Sequence, residues 1–208
     1  MANLIIKPSS GGSLKLQEDG GTDAISIATD GRLTFANPPA GHVIQVNSVR
    51  NVAVDITRTG DKSDPATTGI TCVLPNDLIS TSKLFAQFTT QIGEQEGNHY
   101  ATQTFITLFN NSVNLAPATT DANTTNQGAG LGSASWVDDA TSGTYQSANV
   151  SGQILFTPTG SGAARRTVEM YWGSTNTTSY TSWLNRAHHA ATNYRTGGTT
   201  LTLMEIAG

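Results

Sequence analysis

Residues 82–93 read SKLFAQFTTQIG and residues 99–109 read HYATQTFITLF. In the first, Leu84, Ala86, Phe88 and Ile92 fall on one side of an extended chain; in the second, Ala101, Phe105 and Phe109 oppose Tyr100, Ile106 and Leu108. A period of two belongs to a strand, not to a helix. Shorter runs of similar character are HVIQV (42–46), NVAVDI (51–56), GITCVLP (69–75), SGQILFTP (151–158), RTVEMYWG (166–173) and TLTLMEIAG (200–208). Gly, Asn and Pro separate the runs and provide turn geometry. Eight or more such strands predict an all-β fold, a sandwich or jelly roll.

Composition points the same way. Thr, Ser, Gly and Asn make up 86 of the 208 residues, against 26 charged ones, and the surface helix formers Lys and Glu number only four and five. A helical bundle or coiled coil is excluded. At 37% hydrophobic residues the chain has enough apolar material for one large β-domain, or a smaller one with an appendage. A net charge of −4 without any basic run argues against nucleic acid as a partner. Cys72 is the single cysteine, so no intramolecular disulfide is available. The opening MANLIIKPSS has too short an apolar stretch for a secretory signal, which predicts synthesis in a reducing cytoplasm. No run approaches the roughly 20 apolar residues of a membrane span, so membrane insertion is not expected. The Asn-x-Ser/Thr sites at Asn110, Asn123, Asn149 and Asn176 read as products of a Thr-rich composition.

The first 40 residues differ from the rest. Apolar pairs spaced by two recur as Leu4 and Ile6, Leu14 and Leu16, Ile25 and Ile27, and Leu33 and Phe35, separated by Gly11-Gly12, Gly20-Gly21 and Asp30-Gly31 turns. Strands this short cannot bury a core alone, and a segment of about 40 residues without disulfide or metal usually needs association to stay folded. Three copies around an axis would let Leu14, Leu16, Ile25, Ile27, Leu33 and Phe35 meet in a small prism or stalk; the other reading is a set of edge strands laid against the following domain. Pro38-Pro39-Ala40-Gly41 stiffens the chain and ends this segment. The organisation expected is therefore a β-stalk over residues 1–40 and a jelly-roll domain over 41–208.

The chemistry-bearing residues are scattered. His188 and His189 are adjacent and point apart, so one metal would not take both; His42 and His99 stand alone. Glu94 with Glu96 and Asp138 with Asp139 lack the sugar cleft that carboxylate-pair hydrolysis requires, and no EF-hand pattern supports calcium. GAGLG at 128–132 is followed by SASW rather than a helix and has no lysine, so it reads as a flexible loop. Cys72 alternates with Ile70 and Leu74 and reads as a buried small hydrophobe. No catalytic residue, cofactor or metal site is expected.

In TSWLNRAHHAATNY (181–194), Trp183, Leu184, Ala187, Ala190 and Ala191 have helical spacing and predict one or two helical turns. Around it, Tyr171, Trp172, Tyr180, Trp183 and Tyr194 gather with Arg186 and Arg195. Aromatic residues with Arg are usual anchors of a recognition surface. They are equally usual filling for a core or a subunit interface.

HVIQV after the Gly/Pro boundary, ISTSKLFAQFTTQI (79–92), WLNRAHH (183–189) and above all the closing TTLTLMEIAG (199–208) resemble structural proteins of tailed bacteriophages. In those, a small repetitive β-rich part precedes a trimeric jelly roll similar in architecture to the tumour-necrosis-factor fold. The resemblance implies a trimeric virion component that brings no catalytic residues, made in the host bacterial cytoplasm, without choosing its position in the particle; the capsid exterior is the first choice because the chain is short and shows no evident tail-attachment domain. Its first partner would be the major capsid protein, bridged at three-fold positions as by a decoration or cement protein, with Leu4 and Ile6 facing the shell. The alternative is a head or tail fibre or tail tip that attaches to host-surface glycans through Trp172, Tyr180, Trp183, Arg186, Tyr194 and Arg195. The resemblance also implies a strand and loop, not a helix, for WLNR.

Overall fold

The computed structural model describes residues 14–17, 23–27, 33–35, 38, 40–53, 56–59, 65–94, 102–116, 130–136, 147–174, 181–185 and 197–208. Leu4 and Ile6 lie outside these residues, as do Tyr180, Arg186, Tyr194 and Arg195.

Strands β1 (Leu14–Gln17), β2 (Asp23–Ile27) and β3 (Leu33–Phe35) form an antiparallel meander. Its register sets Leu14 opposite Ile27 and Ile27 opposite Leu33, then Leu16 opposite Ile25 and Ile25 opposite Phe35. Directly opposed residues share a face. The spacing by two therefore becomes two cross-strand rows, with all six apolar positions on one side of the sheet. Leu16 is 53% exposed, and Ile25 and Ile27 are half-buried.

The remaining strands are β4 (Val43–Asn51), β5 (Thr57–Thr59), β6 (Ala66–Val73), β7 (Lys83–Glu94), β8 (Thr102–Asn110), β9 (Val113–Asn114), β10 (Gly132–Trp136), β11 (Ser147–Phe156), β12 (Thr167–Ser174), β13 (Thr181–Leu184) and β14 (Thr199–Ile206). One short helix, α1 (Gly162–Arg165), precedes β12. The pairing is nested: β4 with β14, β6 with β12, β7 with β11, and β8 with β10, all antiparallel. The chain thus folds back on itself as one long two-stranded ribbon. Rolling that ribbon brings β14 beside β7 and β12 beside β8.

The result is two four-lane sheets, β4-β14-β7-β11 and β6-β12-β8-β10. The short β5 and β13 continue the β4 and β14 lanes, and β9 pairs with the end of β8. This is a jelly roll.

Alternation fills the space between the sheets. Leu84, Ala86, Phe88 and Ile92 of β7 meet Ile106 and Leu108 of β8, Ile70 and Cys72 of β6, Val168 and Met170 of β12, and Leu201 and Leu203 of β14, all at most 3% exposed. Each fully buried side chain of Leu or Ile size contributes about 1.5–3 kcal/mol. Trp172 belongs to this core. It is 2% exposed and sits opposite Ile106, because the alternation of Val168, Met170 and Trp172 turns it inward, so it forms no part of a ligand surface.

The expected helical start at 181–184 is also corrected. These residues form β13, because β7 offers an open edge at Ile92–Glu94 where backbone pairing is available. Leu184 then faces the core and Trp183 is half-buried.

At one margin the sheets close through glycines rather than through a loose loop. A Cβ on Gly132 would lie 2.7 Å from the Ser151 carbonyl oxygen, and one on Gly152 would lie 2.8 Å from the Leu131 carbonyl oxygen. The glycines of 128–132 that are described serve close backbone approach. Gly130 lies against Phe105, and the Leu131 N–H donates to the Ile106 carbonyl at 2.8 Å.

Candidate self-association faces

On the side of the β4-β14-β7-β11 sheet that points away from the core, register builds a row of apolar residues. Val46 on β4 is opposite Met204 on β14, Met204 is opposite Phe85 on β7, and Phe85 is opposite Leu155 on β11. Val46 and Leu155 are 51% and 52% exposed, and Met204 and Phe85 are half-buried. Val43 and Ile206 pair beside this row and extend it over two lanes toward the end of the sheet where β4 begins, where the exposed Lys83 of β7 stands opposite Ile206 and ends the apolar surface. The next row inward is neutral and polar: Ser48, Thr202, Gln87 and Gln153, with the Ser48 and Thr202 hydroxyls 2.9 Å apart. No charged residue stands in either row. An apolar row across all four lanes of a sheet, free of charge and left open to water, fits association with another surface.

Buried polar groups hold this end of the sheet in place. Glu205 follows Met204 and points inward, fully buried. Its carboxylate accepts from the Gln45 side-chain amide at 2.6 Å and from the Ile79 N–H at 2.8 Å. Gln45 also donates to the Asn76 carbonyl and accepts from the Asn76 N–H. Two arginines grip the same β6–β7 connection. Arg165 donates to the Ser80 carbonyl at 2.9 Å, and Arg166 donates to the Leu74 and Pro75 carbonyls at 2.6 Å. The Arg166 guanidinium also lies 3.6 Å from the exposed Asp77 carboxylate, a pairing of little weight because water reaches the carboxylate. With this connection pinned, β7 starts in a fixed register and Phe85 stays in line with Met204.

Two buried asparagines organise turns elsewhere. Asn110 donates to the Ala164, Arg165 and Thr167 carbonyls and accepts from the Thr159 N–H, which ties α1 to the end of β8. After it, Asn111 and Ser112 both take positive φ, the geometry of a two-residue hairpin turn into β9. Asn110 is fully buried, so its glycosylation sequon is sterically closed. Asn185 donates to the Asn51 and Ala53 carbonyls and accepts from the Thr199 hydroxyl.

The other candidates offer little chemistry. Burial pushes the Cys72 thiol up from its ordinary pKa, a hydrogen bond with Leu203 offsetting part of this, and its Sγ donates to the Asn47 carbonyl at 3.5 Å. A protonated, enclosed thiol is a poor nucleophile. Burial, and then the Glu169 carboxylate beside it, push the Tyr171 phenol up as well. Among the described residues no group of three or more His, Cys, Asp or Glu is placed to hold a metal. Glu96, His99, Asp138, Asp139, His188 and His189 lie outside the described residues. No described helix is long and apolar enough to cross a membrane.

Sequence reasoning missed Val46, Phe85, Leu155 and Met204 as a group. The missing signal was the strand order, since each is the odd residue of its own alternation. No protein-family model matches the chain, and no curated protein matches it.

Proposed function

We propose that this chain is a non-enzymatic structural protein of a bacteriophage virion. In this reading it is a homotrimeric decoration or cement protein that binds the major capsid protein at three-fold positions on the capsid exterior. The observation that carries the self-association is the outward row Val46, Met204, Phe85 and Leu155, supported by the six apolar positions on one face of the N-terminal meander. A three-stranded sheet with one apolar face is stable only when that face is covered, and both surfaces are covered when copies pack side by side around an axis. A closed trimer presents three equivalent attachment points, and multivalent contact raises the effective affinity without a strong single contact. The N-terminal region, with Leu4 and Ile6, is the part assigned to the shell.

Light scattering on the purified, undenatured protein tests the assembly, and a monomer at micromolar concentration overturns it. Mixing with isogenic capsids that lack the protein tests the location. Binding that is lost on deleting residues 1–40 supports the assignment; absent binding, or binding that survives the deletion, overturns it. The fibre or tail-tip reading keeps Trp183 as a half-buried aromatic, but its other tryptophan, Trp172, is enclosed in the core. That burial favours the decoration reading.

A further inference from the structure

The lane formed by β13 and β14 is one strand in two pieces. Leu184 is opposite Ile92 on β7, and the next N–H, of Asn185, donates to the Gln91 carbonyl at 2.8 Å. The lane resumes with Thr199, whose hydroxyl lies 2.6 Å from that of Thr90, and Thr200 is opposite Thr89. Ile92, Gln91, Thr90 and Thr89 are consecutive, so Asn185 and Thr199 occupy consecutive positions of the lane although they are 14 apart in the chain. Leu184, Thr199 and Leu201 are all buried, as they are when one lane position separates each pair; Asn185, between the first two, is buried as well, held by the groups it bonds.

The departure itself is marked. Asn185 has φ 63°, a left-handed backbone that an L residue rarely takes inside a strand. Its side chain spans the break, accepting from Thr199 at 2.7 Å and donating to the Ala53 carbonyl at 2.9 Å. The neighbouring lane also swells here, because Asn51 is opposite Thr199 while Thr57 is opposite Trp183.

We infer that the Asn185–Thr199 junction is a splice point: residues 186–198 are an insert in an already complete eight-lane jelly roll, and the sandwich does not need them to fold. The test is excision in frame. A full-length chain lacking 186–198, with Asn185 joined to Thr199, keeps the register on β7 and lets Asn185 return to extended geometry. It folds cooperatively with a melting temperature within about 5 °C of the parent, the size of shift that one or two lost contacts cause in a chain of this length.

Removing one residue more, 186–199, moves Thr200 into the place of Thr199. That slip turns Leu201 and Leu203 outward, and the variant loses cooperative unfolding. A third variant replaces 186–198 with four Gly/Ser residues, so a strained direct join is not mistaken for a requirement for the native segment. The inference is overturned when both the direct join and the Gly/Ser variant fail to fold, or when the one-residue-longer excision folds as well as the in-frame one. None of these outcomes depends on assembly or capsid binding.

Discussion

The two sheets of the sandwich present outward faces built by the same alternation and finished in opposite ways. On the β6-β12-β8-β10 sheet, Phe105 and Thr107 turn away from the core residues Ile106 and Leu108, yet they are 2% and 0% exposed. Gly130 sits against Phe105, Asn114 accepts from the Thr107 hydroxyl, and Phe109 stacks on Tyr171 with centroids 4.1 Å apart. Around Phe105, Thr107 and Phe109 the chain covers this face itself, while Val73 on the β6 edge stays 37% exposed. On the β4-β14-β7-β11 sheet the apolar row from Val46 to Leu155 has no such cover. The first face is packed within the molecule around Phe105 and Thr107 and the second stays open to water, so the proposed association, and with it any response to concentration, is expected on the second.

The largest expected effect falls on the covered face. Phe105→Ala empties an enclosed site and costs about 3–5 kcal/mol, read as a drop in denaturant midpoint below the parent at the same protein concentration, a drop of similar size at each concentration tested. On the open face, Phe85→Asp places a charge in the row where copies are proposed to meet. It converts the assembly to monomers in light scattering, and the isolated chain stays folded by circular dichroism. Should Phe85→Asp leave the assembly intact, the contrast between the faces loses its meaning.

Between these lie the polar clamps. Asn110→Ala leaves the Thr159 N–H and three carbonyls without this partner and lowers stability by about 1–3 kcal/mol. Glu205→Gln keeps the shape and an acceptor for Ile79 but sets an amide against the Gln45 amide, lowering stability by about 1 kcal/mol. Because Glu205 adjoins Met204, this change also weakens assembly, whereas Asn110→Ala does not.

The smallest effect is on pH dependence. Burial raises the Cys72 pKa in the folded state, so the unfolded chain releases its proton first. Stability held below the ordinary thiol range, near pH 8.5, declines as pH rises above it. Cys72→Ala removes that alkaline decline, which is read by comparing denaturant midpoints at pH 7 and pH 10.

Much of the fold was legible. The alternation of Leu84, Ala86, Phe88 and Ile92 placed the inner face of β7, and Cys72 between Ile70 and Leu74 was readable as core. The six apolar positions of the N-terminal region emerge on one face because spacing by two is a local property. What depends on long-range pairing was not readable. At Trp183 and Leu184 the helical spacing lost to an open sheet edge supplied by residues about 90 positions earlier, while Ala187, Ala190 and Ala191 lie outside the described residues. For Trp172 surface anchor and core filling were both open readings, and its pairing with Ile106 decides for the core. Asn110 and Asn185 resemble any other loop asparagine in the sequence, since only the folded backbone shows which carbonyls they collect. The outward row needed four strands to be set side by side.

The nested pairing also sets the order of events during synthesis. β4 finds its partner only when β14 has been made, roughly 150 residues later, a wait of about ten to thirty seconds at ordinary translation rates. Until then β7, whose edge β14 will occupy, offers a long bare margin to any other nascent chain. Truncation before Thr199 leaves that margin permanently vacant, so C-terminal nonsense mutants of this protein are expected in the insoluble fraction rather than as shortened soluble forms.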